Sequence, residues 1–148
     1  MGVGFRVRST AEKLIKGMPV AHEIDDRAQV ITMTVTAPIT LKDLLEDYQK
    51  IFQDQRFVHN MNAVWDISHL NLMDIPTDKI RQLPRQMKQF MERRGSGYKA
   101  ALVTNRALDF QLLRLYVTIL RLIGNIRFNV FRSLDDAYAW ASTAESEE

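Results

Sequence analysis

A chain of 148 residues is long enough for one domain with a substantial core, and its apolar and charged fractions, 46% and 26%, are those of an ordinary globular protein. With no cysteine, disulfides and thiolate-held metals are excluded, and the formal charge of +2 is too small to point to nucleic acid by itself. The longest nearly apolar run, 112–123, is interrupted by Arg114, Thr118 and Arg121, which makes it too short and too charged to span a bilayer.

Residues 1–17 are basic and lack the long apolar core of a secretory signal, so they are expected to form a flexible extension ahead of Met18. A cysteine-free chain of this kind suits a reducing compartment, and a cytoplasmic location is expected. The acidic tail, 143–148, is expected to be disordered, which leaves 18–142 as the folded domain.

Residues 20–24 read as a first strand and 25–27 as a tight turn. The next segment alternates, with Ile31, Met33 and Val35 on one side and Thr32, Thr34 and Thr36 on the other, where they suit a solvent- or partner-facing surface. Pro38 ends this strand, and Thr40, with Asp43 in the first turn, caps a helix. Leu41, Leu44, Leu45, Tyr48 and Phe52 form its apolar face.

A third, largely apolar strand spans 62–68. The helix after it carries Ile80, Leu83, Met87 and Met91 as an apolar stripe. Arg81, Arg85 and Lys88 share another face, and Pro84 should kink or split the helix before Gly95 and Gly97 end it. A fourth strand covers 98–104, a long helix 106–123 and a fifth strand 126–131. Ser133 and Asp136 form a capping-box pattern that opens the last helix. The order ββαβαβαβα implies one α/β domain with a mixed five-stranded sheet and four helices.

The stretch "VFRSLDDAYAW" at 130–140, together with "VWDIS" at 64–68 and "YKAALVT" at 98–104, resembles the SpoIIAA-like, STAS-type fold of the sporulation anti-sigma-factor antagonists. It is closer still to a bacterial group of small proteins described as STAS-like or CRAL-TRIO-like, over residues 18–142. In the antagonists the loop after the third strand ends in an aspartate followed by serines, one of them phosphorylated. Phosphate there adds about two negative charges at a helix N-terminus. Asp74 fits the aspartate position, but Ile75 and Pro76 have no hydroxyl and Thr77 is displaced. Asp74 and Thr77 are therefore expected to be helix caps, and antagonist-type phosphoregulation is not expected.

No catalytic signature, metal motif or cofactor motif is present. His22, His59 and His69 lie on different elements without ligand spacing, and Asp66, Ser68 and His69 are strand neighbours that alternate in direction. The helix 106–123 has a row of Phe110, Leu113, Val117 and Leu120, with Leu112, Leu115, Ile119 and Leu122 around the other side. One sheet-covering face needs a stripe only about 100° wide, so the surplus is covered by neighbouring helices, or lines a dimer contact or an apolar pocket. The basic face of Arg81, Arg85 and Lys88, with Phe90, Met87 and Met91 opposite, is a solvated surface, or a contact for an anionic membrane or an acidic partner. Nucleic acid is the weaker option, for want of interleaved aromatics.

Two functions are expected from these features. The first is a non-catalytic interaction or regulatory module of STAS-like type acting as a homodimer. The second is a binder of a small apolar or amphiphilic molecule. The crevice beyond the C-terminal ends of the central strands points to Asp66, Ser68, Asp74 and Thr77, and to Thr104, Asn105 and Arg106, with Arg106 available for an anionic head group.

Overall fold

The computed structural model describes residues 19–36, 39–121 and 125–143. The expected N-terminal extension, Pro38, Leu122 and all but the first residue of the expected tail lie outside the described residues.

β1 (Val20–Asp25) and β2 (Val30–Thr36) form an antiparallel hairpin in which Ile24 pairs with Ile31 and His22 with Met33. The turn between them is held by the Asp25 carboxylate, which accepts from the N–H groups of Arg27 and Ala28. β3 (Asn62–His69), β4 (Lys99–Val103) and β5 (Arg127–Phe131) follow in parallel, so the sheet order is β1-β2-β3-β4-β5. Each crossover steps the same way along the sheet, and right-handed crossovers then put every crossover helix on one face.

Those helices are α1 (Leu41–Gln53), α2 (Thr77–Arg94) and α3 (Ala107–Leu120). They cover Ile31, Met33, Trp65, Leu102 and Phe128. The fourth helix, α4 (Leu134–Ser142), lies on the opposite face, with Ala137, Tyr138 and Ala141 against Val30, Val64, Ala101 and Val103.

Local chemistry explains where the helices begin. Thr40 Oγ1 accepts from the Asp43 N–H at 3.1 Å, and Asp43 accepts in return from the Thr40 N–H at 3.0 Å. Ser133 caps α4 by accepting from the Asp136 N–H at 3.1 Å. The far end of α4 is anchored by Lys99 Nζ, which donates to the carbonyls of Trp140 and Thr143 at 3.0 and 3.1 Å. His22 Nδ1 lies 2.9 Å from Asp47 Oδ1 and ties β1 to α1.

Three local expectations are corrected. Thr32 and Thr34 are buried, because β2 lies between β1 and β3 inside the sheet. Pro84 does not split α2, which runs unbroken from Thr77 to Arg94 while Ile80 and Met87 bury on either side of the proline. Asp74 and Thr77 are not caps. Asp74 ends a 3-10 turn, Leu72–Asp74, which Asn71 caps, and Thr77 is already helical behind Pro76.

Candidate functional site

The crevice residues come together only in part. The Asp66 carboxylate accepts from the Ser68 N–H at 3.1 Å and from the Ser68 hydroxyl at 2.6 Å, so the two are bonded to each other within β3. Strand alternation sends Asp66, paired in register with Val103, toward the α4 side and Thr104 toward the α1–α3 side. Asp74 and Thr77 are exposed on the loop and first turn leading into α2. Asn105 and Arg106 are exposed at the start of α3. Arg106 Nε lies 3.7 Å from Asp109 Oδ2, so the guanidinium faces a carboxylate of its own helix. Thr104 Oγ1 and both Asp109 carboxylate oxygens are buried without a hydrogen-bond partner among the described residues.

Arg81, Arg85 and Lys88 are exposed along α2. In the apolar row of α3, Leu113 and Val117 are buried, packed with Leu70, Leu72 and Leu102, while Phe110 and Leu120 are half-buried. The surplus apolar surface is only partly covered, since Leu108 and Leu115 remain 69% and 67% exposed.

A cavity of about 170 Å³ lies between the helices and the sheet. Leu44 and Tyr48 of α1, Leu83, Met87 and Met91 of α2, and Leu120 of α3 form its helical walls. Its floor is Trp65 and Ile67 of β3, Ala100 and Leu102 of β4 and Phe128 of β5, with Tyr98 and Ile126 at the strand entrances. The lining is apolar apart from two phenols and an indole N–H. Tyr48 packs edge-on to Trp65, with ring centres 6.1 Å apart.

Where Tyr48, Met91 and Tyr98 meet, Arg94 closes the end of α2. It is 1% exposed, and its guanidinium carbon lies 4.0 Å from the centre of the Tyr98 ring. Neither terminal nitrogen has a hydrogen-bond partner among the described residues. Burial pushes the Tyr48 phenol well above its ordinary value, Tyr98 beside it adds to the rise, and Arg94 opposes part of it. Burial raises Tyr98 too, again against Arg94. Both phenols are therefore neutral donors at physiological pH.

Of the α3 row expected to line an interface or a pocket, Leu120 lines this cavity and Phe110, Leu113 and Val117 do not, while Tyr48, Tyr98 and Arg94 were not picked out as a site from the sequence. One signal was present for Arg94, which continues the seven-residue spacing of Ile80 and Met87 and so falls on the buried stripe. Its neighbours Arg81 and Arg85 suggest a solvated basic face, and that expectation does not extend to Arg94.

The chain matches no protein-family model, no curated protein and no solved structure. Fold and site together define an α/β protein with a mixed five-stranded sheet and an apolar cavity beneath three helices. Among the described residues no helix is long and apolar enough to cross a membrane, and no cluster of three or more His, Asp or Glu could hold a metal ion.

Proposed function

We propose that this protein is a non-catalytic binding module that takes a small apolar molecule, or the apolar body of an amphiphilic one, between α1–α3 and the sheet. The observation that supports this is the cavity of about 170 Å³ with its apolar walls. Cavities near 150 Å³ lined by aliphatic and aromatic side chains stay dry and take up benzene-sized guests, so this one has room for a ring or a short alkyl chain. Leaving such a volume empty forfeits dispersion contacts that a guest restores. Native mass spectrometry of protein purified without detergent tests the reading. The expected result is an adduct that is lost on denaturation or, for protein recovered empty, a complex with added toluene. Bare mass under both conditions counts against it.

A second reading is a STAS-like interaction module that works as a cytoplasmic homodimer. The exposed Leu108 and Leu115, one turn-pair apart on the outer side of α3, favour it. The same spectra then show a dimer.

A further inference from the structure

Among the described residues β5 is an edge strand, paired with β4 and with no other strand. The Arg127 N–H donates toward β4, to the Tyr98 carbonyl, and the Phe131 carbonyl accepts from the Thr104 N–H on the same side. Alternation then turns the N–H and carbonyl groups of Phe128 and Val130 to the open edge. There the Val130 N–H meets the side-chain carbonyl of its own neighbour, Asn129, at 2.9 Å.

A groove of about 340 Å³ runs between this edge and Phe110, Arg114, Val117 and Arg121, at α3 and its C-cap. Arg114 and Arg121 are exposed and lie two turns apart, roughly 10 Å along the helix axis. Neither forms an ion pair among the described residues, and no Asp or Glu lines the groove. Arg132 adds a third cation, its guanidinium carbon 5.7 Å from the centre of the Phe110 ring.

We infer that this groove binds an extended acidic peptide segment, which joins the sheet as an added strand beside β5. Main-chain bonds to Phe128 and Val130 hold the segment, and a partner carbonyl takes the place of the Asn129 side chain at the Val130 N–H. Side chains on the helix-facing side of such a strand recur about every 6.7 Å. Acidic residues at i and i+4 therefore come within reach of the long Arg114 and Arg121 side chains, and an apolar residue between them meets Val117 and Phe128. Charge selects against a second copy of this chain, because two paired β5 edges would bring two sets of these arginines together. The inference is independent of the cavity reading, since an occupied edge does not require a filled cavity.

The test is an NMR titration of the full chain with the peptide acetyl-Thr-Glu-Thr-Val-Thr-Glu-Thr-amide, together with hydrogen exchange at the Phe128 and Val130 amides. Bound peptide is expected to slow exchange at both amides by about tenfold or more. Arg114→Gln and Arg121→Gln, both at exposed positions, are each expected to weaken binding by about twofold to fivefold. The same peptide with lysines in place of its glutamates is expected not to bind. N-methylation of the Val nitrogen, or of the two Thr nitrogens beside it, blocks opposite edges of the peptide. One pattern is expected to abolish binding and the other to leave it within about twofold, which also gives the strand direction. Binding that tolerates both patterns overturns strand addition and leaves a groove that reads charge alone. Absence of binding, or equal binding of the lysine peptide, overturns the inference outright. Protection of the two amides that rises with protein concentration in the absence of peptide overturns it in favour of a second copy. The peptide comparisons hold whether or not either arginine variant folds.

Discussion

Asn60 clamps the end of α2 at Gly95. A Cβ on Gly95 would lie 2.0 Å from Asn60 Oδ1 and 2.7 Å from its backbone nitrogen, at a φ of +110° that side chains rarely adopt. Asn60 also donates its N–H to the Arg94 carbonyl at 3.1 Å and accepts from the Ser96 N–H at 2.8 Å. The loop before β3 thus fixes where α2 stops and where Arg94 sits. Gly95→Ala combines a Gly-only backbone conformation with a steric clash, and an expected loss of about 3 kcal/mol should appear in urea unfolding. A loss under about 1 kcal/mol would mean that Asn60 can move aside.

Arg94→Met should stabilise the empty protein. The change removes the contact with Tyr98, worth about 1–2 kcal/mol, but also relieves an unpaired buried charge whose cost is several kcal/mol. A higher midpoint of urea unfolding is expected, with a net gain of about 1–2 kcal/mol. A lower midpoint would show that the guanidinium is already satisfied.

Filling the cavity should separate stability from binding. Ala100 lies on the floor, 2% exposed, and Ala100→Ile adds three carbons on a strand that favours β-branched side chains. At about 24 cal/mol per Å³ of cavity removed, a gain of about 1 kcal/mol is expected for partial filling, together with loss of toluene uptake. Toluene binding that survives in a stabilised Ala100→Ile places the guest elsewhere.

Leu115→Arg tests the outer face of α3. Leu115 is 67% exposed, so the substitution should change folding stability by less than about 0.5 kcal/mol. Analytical ultracentrifugation should show a wild-type dimer converted to monomer. A dimer that persists rules out this ridge as the contact.

Asp54 supplies a pH-dependent contact after α1. Arg56 donates to both Asp54 oxygens, from Nε at 3.1 Å and Nη2 at 2.9 Å, and holds the carboxyl down at about 2 from an ordinary 3.8. A lowered folded-state value means stability that is fully present above pH 3.8 and lost as the pH falls through about 2. The pair is solvated, so Asp54→Asn is expected to cost under about 1 kcal/mol at pH 7 and only a small fraction of that at pH 2, where the carboxyl is about half protonated. Urea midpoints at the two pH values check it.

The same window opens at the other end of the scale. Burial raises Tyr48, so its contribution is complete below pH 10 and declines as the pH rises beyond it. Tyr48→Phe should weaken that alkaline decline, read from thermal midpoints between pH 8 and pH 11 (on the order of a few degrees).

Much of the fold is legible residue by residue because its signals are local. Thr40 and Asp43 satisfy each other three residues apart, Ile31 and Met33 alternate with threonines, and Leu41, Leu45, Tyr48 and Phe52 recur with the helical period. Periodicity assigns a residue to a side of its element, however, and does not say what covers that side. Thr32 and Thr34 look like surface residues for that reason, and Leu115 like one a neighbouring helix covers. The crevice residues share a sheet end in the sequence, yet Asp66 and Thr104 point to opposite faces.

Sequence alone therefore determined the order of elements, the α/β class and the composition of each apolar face, all of which depend on backbone propensity and spacing over a few residues. Tertiary structure decided the cavity and the burial of Arg94. The volume left beneath α1, α2 and α3 is a small difference between large packed volumes contributed by separate elements. Asn60, from a distant loop, holds the Arg94 carbonyl where the helix ends, and the Tyr98 ring covers the guanidinium, neither of which the local spacing shows.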